Sequence, residues 1–158
     1  AEAEAAYVRA LESDPESALM VRNLESVLAQ SGRSRPAILV DLAELRSIDA
    51  AVAKGDWSAD VVRRCARLLE RRPTFLMARF LYGSLLLANQ RAAEAALELE
   101  RVIAVDGRRA APRVNLGAAY AALGRAAQAE AQFRAALAID PTNTTARARL
   151  SALGRTPK

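Results

Sequence analysis

Histidine is absent from this chain of 158 residues, and cysteine occurs once, at Cys65. Without an imidazole a Ser/His/Asp or Cys/His triad has no base, and a His/Cys zinc site has no ligand set. A lone thiol forms no internal disulfide, so folding does not rely on oxidation. Aromatic residues make up only 4% of the chain, and any core must therefore be built from Ala, Leu and Val. No apolar run approaches the ~20 residues that a membrane-spanning helix needs. The start AEAEAAYVRALE also lacks the basic-then-apolar layout of a signal peptide. The chain reads as soluble, with a signal, a tether or more repeats as candidates for what precedes Ala1. Lysine is nearly missing too: only Lys54 and Lys158 occur, and arginine carries the formal charge of +5. With the alanine load, that bias points to a GC-rich bacterial source, and to the cytoplasm or periplasm.

What the chain does have is apolar content, 52% of its residues, in sequence rich in Ala and Leu. Such side chains lose little rotamer freedom in a helix, so the fold class is all-α. A 34-residue echo organises it: Tyr82-Gly83 with Ala95 and Asp106 returns as Leu116-Gly117 with Ala129 and Asp140. A fixed period of this size means one folding unit copied and stacked. The clearest copy is 110–143. Leu116, Tyr120 and Leu123 recur at helical spacing before Gly124, and Ala129, Phe133, Ala136 and Leu137 after it. Gly117 and Ala129 are small where two helices must cross, Gly124 supplies a left-handed helix end, and Asp140-Pro141 closes the unit.

Shifting back by the period gives 76–109 without insertion, and again 42–75, where Gly55-Asp56-Trp57 turns one residue early and Asp49 replaces the small glycine. The first third departs from the pattern. Ala3, Tyr7, Ala10 and Pro15 match the second helix of a unit, and residues 18–31 match a first helix through Leu24 and Leu28. Too few residues then separate 18 from 42, so a short helix is expected to be missing. Ser34 can cap and Pro36 can start a helix. Arg35 to Lys54 then forms one helix of about 30 Å, or two that break near Ser47. The chain is thus one helical domain over 1–158: partial or irregular repeats over 1–41, in-register repeats at 42–75, 76–109 and 110–143, and a capping helix and tail over 144–158.

The spacing resembles the tetratricopeptide repeat, a helix-turn-helix whose marker positions match Leu116, Gly117, Tyr120, Ala129, Phe133, Ala136 and Pro141. The second copy matches with Gly107 in place of the closing proline, and the resemblance covers at least 42–143. It implies a right-handed superhelix of stacked hairpins with a concave groove lined by the first helix of each. By register the groove positions are Met77, Phe80, Leu81, Ser84 and Ala88, then Ala111, Val114, Asn115, Ala118 and Ala122, with Arg22, Asn23 and Ser26 in the irregular first unit. Met77, Phe80 and Leu81 face either that groove or the neighbouring helix. The family's carboxylate-clamp subtype, which holds the acidic end of a chaperone tail, is matched poorly. Asn23 and Asn115 fall on its asparagine places, but Met77, Leu81 and Ala111 stand where basic or polar residues are needed.

Arg63, Arg64, Arg67, Arg71 and Arg72 crowd one helix, with Arg63, Arg67 and Arg71 on one face. The stripe suits an acidic peptide or a phosphate backbone, but it stands beside Glu70 and lacks the interleaved aromatics of a single-strand reader. Nucleic acid is therefore disfavoured, and a solvated face is the simpler reading. Trp57 is expected to staple a hairpin corner, and Cys65 to be a small core group. Glu94, Glu98 and Glu100 read as solvated partners of Arg91 and Arg101. No set of residues supplies nucleophile, base and orienter, and no cofactor or metal is expected. The expected role is a protein-interaction scaffold, an adaptor or assembly factor of a bacterial complex that binds a peptide or protein in its groove. The arginines bias it toward acidic partners, and self-association through an open first half-repeat is the alternative.

Overall fold

The computed structural model describes residues 2–14, 17–31 and 36–154. Along them run α1 (Glu2–Ser13), α2 (Ala18–Ser31), α3 (Ala37–Ala53), α4 (Ala59–Arg71), α5 (Leu76–Ala88), α6 (Ala92–Val105), α7 (Ala110–Ala122), α8 (Ala126–Ile139) and α9 (Thr144–Leu153). No strand occurs among the described residues. The protein is all-α. In the long candidate helix Ser47 causes no break: α3 runs through it, with Pro36 just ahead of its first turn. Ser34, Arg35 and Pro15 lie outside the described residues.

Local chemistry sets the helix ends. Ser58 and Asn143 cap α4 and α9, their side-chain oxygens accepting from the amides of Val61 and Ala146. Helices α3, α5 and α7 each end on one left-handed residue: Gly55 at φ 79°, Gln90 at φ 62° and Gly124 at φ 74°. Behind each, paired bonds close a Schellman turn, as where Arg91 N donates to Leu86 O and Gln90 N to Leu87 O. The same pair recurs as Arg125 on Tyr120 with Gly124 on Ala121, and as Asp56 on Ala51 with Gly55 on Val52.

Packing divides the helices into two layers. Odd-numbered helices touch in series, α1 on α3, α3 on α5, α5 on α7 and α7 on α9, while the even-numbered ones form no such series among the described residues. In a curved stack the layer whose members touch lies on the inside of the bend, so the odd helices form the inner face. α1 packs chiefly on α2 and also touches α3. Unlike the matching pairs α4 with α5 and α6 with α7, α2 and α3 form no comparable packing among the described residues, so the amino-terminal third departs from the regular stacking, and α3 begins five residues ahead of the 42–75 window.

Two clusters form the core and meet at α5: one runs from Leu11 to Leu85, the other from Leu86 to Ala146. Close crossings depend on glycine. A Cβ on Gly117 would stand 2.6 Å from Phe133 Cε1, and one on Gly83 would stand 2.9 Å from Leu99 Cγ. A ladder of arginines holds the turns. Arg79, Arg113 and Arg147, one period apart, each donate to the carbonyl six residues earlier, on Pro73, Gly107 and Pro141. Arg79 also reaches Glu98 on α6, and Arg113 reaches Gln132 on α8.

Candidate partner-binding surface

The inner face between α5 and α7 holds the most varied side-chain chemistry of the predicted groove. Met77, Phe80 and Ser84 are half-buried on α5, one helical turn apart, so they form a row. Met77 leans on the amino-terminal core cluster and Phe80 on the carboxy-terminal one, and each still shows surface. Across the row, Asn115 on α7 donates from Nδ2 to Ser84 Oγ at 2.8 Å, and Ser84 donates on to the Phe80 carbonyl at 2.9 Å. This relay leaves the Asn115 side-chain oxygen as an acceptor with no partner among the described residues.

Other predicted groove positions lie deeper or elsewhere. Leu81, Val114 and Ala118 are buried in the core, because inner helices pack on one another as well as bordering the groove. They shape the floor without offering contact area. Arg22 is exposed and Asn23 half-buried on α2, which stands outside the inner series, so neither joins the α5–α7 row.

Four of the five arginines of the stripe are paired within the chain. Arg63 pairs with Asp60, and Arg64 Nε bonds Glu44 Oε1 at 2.8 Å while its Nη2 bonds Ser47. The Glu44 bond raises the Arg64 pKa above its ordinary value. Arg71 and Arg72 converge on Asp41, at 3.0 and 2.8 Å. Asp41 is 5% exposed, so burial sharpens the requirement for both partners. Only the Arg67 guanidinium, of these five, has no partner among the described residues.

The remaining candidates are structural. Cys65 is fully buried, its thiol donates to the Ala78 carbonyl, and burial pushes its pKa up to about 12. Its thiolate is thus suppressed. Trp57 is in neither core cluster and is 40% exposed, so it staples the turn only partly, with its ring beside Gly55 and its carbonyl accepting from Asn89. Glu94 pairs with Arg91 as expected, but Glu98 also binds Arg79 of α5. Glu100 accepts from the Tyr120 hydroxyl at 2.6 Å, a bond that raises the tyrosine pKa. No group of three or more His, Cys, Asp or Glu able to hold a metal occurs among the described residues. No helix among them is long and apolar enough to cross a membrane.

Comparison with known proteins gives the geometry its context. Residues 110–143 match the family model described as tetratricopeptide repeat. The chain superposes on the Arabidopsis OM64 TPR domain with a TM-score of 0.69 and 19% identity, over 75% of this chain and 97% of that one. On MamA (41-end) from Desulfovibrio magneticus RS-1 the TM-score is 0.67 at 18% identity, over 98% and 85%. The first TPR of Spaghetti (RPAP3) bound to HSP90 peptide SRMEEVD gives 0.67 at 16% identity, over 73% and 90%. A comparison with curated protein sequences gives no match.

Proposed function

We propose that this chain, a member of the tetratricopeptide-repeat family, is a protein-interaction scaffold whose inner face holds a peptide segment of another protein, as an adaptor or assembly factor. The observation that carries this reading is the α5–α7 row. Met77 and Phe80 offer half-exposed apolar contact, and Asn115 offers a free acceptor beside them. An apolar side chain packed on Phe80 with a backbone N–H donated to Asn115 uses both features at once. A solved neighbour of this fold holds a chaperone peptide. This chain has Met77, Leu81 and Ala111 where a carboxylate clamp needs basic or polar groups, so its peptide is anchored through apolar contact. With Arg67 as the one unpaired member of the stripe, acidic character in the partner adds steering more than affinity.

The test is selection of peptides from a random phage-displayed library on the immobilised protein, followed by calorimetric titration of the synthetic winners. Phe80→Ala is expected to weaken them at least about tenfold. Asn115→Ala is expected to weaken them while leaving helicity unchanged. Winners that bind both variants as tightly as the original chain would refute the inner-face reading.

A further inference from the structure

The outer layer carries a feature that the inner-face reading does not use. Three rows one period apart can be compared across it: Arg63, Arg67 and Arg71 on α4, Leu97, Arg101 and Val105 on α6, and Ala131, Ala135 and Ile139 on α8. Only α6 combines two bulky apolar groups with a cation. Leu97 is 57% exposed and Val105 76% exposed, far beyond the half-buried residues of the inner face. Beside them lies a cleft of about 460 Å³ lined by Pro73, Thr74, Leu76, Arg79, Ala104 and Val105, with Arg101 at its rim. That volume is in the range that accepts a substantial guest.

Charge says what kind of guest fits. Arg79 and Arg101 share one carboxylate, Glu98, at 2.6 and 2.7 Å, so the cleft keeps one uncompensated positive charge. Arg101 is also the more exposed of the pair and has N–H donors left over. At the matching register place on α4, the Arg67 guanidinium has no partner among the described residues, although Glu70 stands beside it. We propose that this cleft, between the start of α5 and the end of α6, is a second docking surface, which takes a partner-protein segment presenting an aliphatic side chain flanked by carboxylates. The aliphatic group enters beside Val105 and Leu76, and the acidic flanks meet Arg101, whose pairing with Glu98 leaves donors free. The proposal stands independently of the inner-face reading.

The test uses the whole chain, isotopically labelled, and a capped hexapeptide with two leucines between pairs of aspartates. A second peptide carries lysines in place of the aspartates. Amide shifts are expected at Leu97, Arg101 and Val105 with the acidic peptide, and binding of the basic one is expected to be at least about tenfold weaker. Val105→Asp changes an exposed residue, so circular dichroism should show an unchanged fold while the acidic peptide is lost. Arg101→Glu changes an exposed lining residue and should weaken binding most at low salt. Equal binding of both peptides, shifts confined to Met77, Phe80 and Asn115, or no shifts at all would overturn the proposal. Concentration-dependent association of the unlabelled chain that Val105→Asp abolishes, with no peptide shifts at Val105, would overturn it too and make a second copy the occupant.

Discussion

Gly117→Ala tests the close crossing of α7 and α8 on which the array's geometry depends. In an unhindered helix interior alanine is better than glycine by roughly 0.5–1 kcal/mol, because it loses less backbone entropy on folding. Here the new methyl carbon would stand 2.6, 2.8 and 3.0 Å from three ring atoms of Phe133. Phe133 is 1% exposed, so its ring moves only by disturbing the core around it. Overpacking of this kind costs about 1–3 kcal/mol, and a rigid buried ring argues for the upper half of that range. The net expectation is a loss of about 1–2 kcal/mol, which for a domain of this size lowers Tm by roughly 2–8 °C. Urea and thermal unfolding followed by circular dichroism measure it directly. The preceding repeat supplies a control, since Gly83 faces the flexible Leu99 at 2.9 and 3.1 Å, and Gly83→Ala should cost less. Combining Gly117→Ala with Phe133→Leu imitates that repeat, and a coupling of at least about 0.5 kcal/mol is expected. If Gly117→Ala stabilises the protein by the full intrinsic helix gain, the helices do not cross as closely as described and the reasoning fails.

Gln90 adopts a left-handed conformation that glycine occupies at the matching places 55 and 124. Gln90→Gly should therefore raise stability by roughly 0.5 kcal/mol, part of the conformational gain being offset by a freer unfolded chain; a loss in chemical denaturation would show that the glutamine side chain matters more than its backbone. Cys65 gives a pH prediction with a definite sign. Its folded pKa is raised from 9.0 to about 12, so its contribution is intact below pH 9 and is lost as pH rises toward 12. Between those limits stability should fall by about 1.4 kcal/mol per pH unit more steeply in the original chain than in Cys65→Ala. Parallel stability curves for the two proteins would contradict this.

Much of the fold was legible because the repeat places residues with unique demands at fixed spacing. Gly117, Gly124, Ala129 and Phe133 announce a crossing and a turn, and both occur there. Gly55, one place early in the sequence, likewise marks a turn of the same kind at the end of α3. What periodicity does not encode is depth. Met77 and Leu81 are four residues apart on the same helix, yet one keeps surface and the other is buried, because the packing of other helices on α5, which a period does not encode, decides which flank is covered. The arginine ladder was readable in principle, since Arg79, Arg113 and Arg147 recur at the period. Its chemistry was not: the acceptors are turn carbonyls whose direction only the folded chain sets.

The same distinction explains the arginine stripe and the divergent first third together. On one helix, Arg63, Arg67 and Arg71 share a face, and a reader of that helix alone sees a basic surface. Arg63 pairs within α4, with Asp60, but the partners of Arg64, Arg71 and Arg72 come from the preceding helix, some twenty to thirty residues away: Glu44 for Arg64 and Asp41 for Arg71 and Arg72. Asp41 belongs to the stretch of α3 ahead of the repeat window, next to the buried Leu42, in a run whose apolar pattern gives no hint of a buried carboxylate. Lengthening the first helix of the 42–75 unit thus carries an acidic group to the carboxy-terminal end of α4, where two guanidiniums would otherwise face each other. The departure from the regular repeat before residue 42 supplies the one carboxylate that Arg71 and Arg72 share, and it leaves Arg67 as the member of the stripe whose guanidinium has no partner among the described residues.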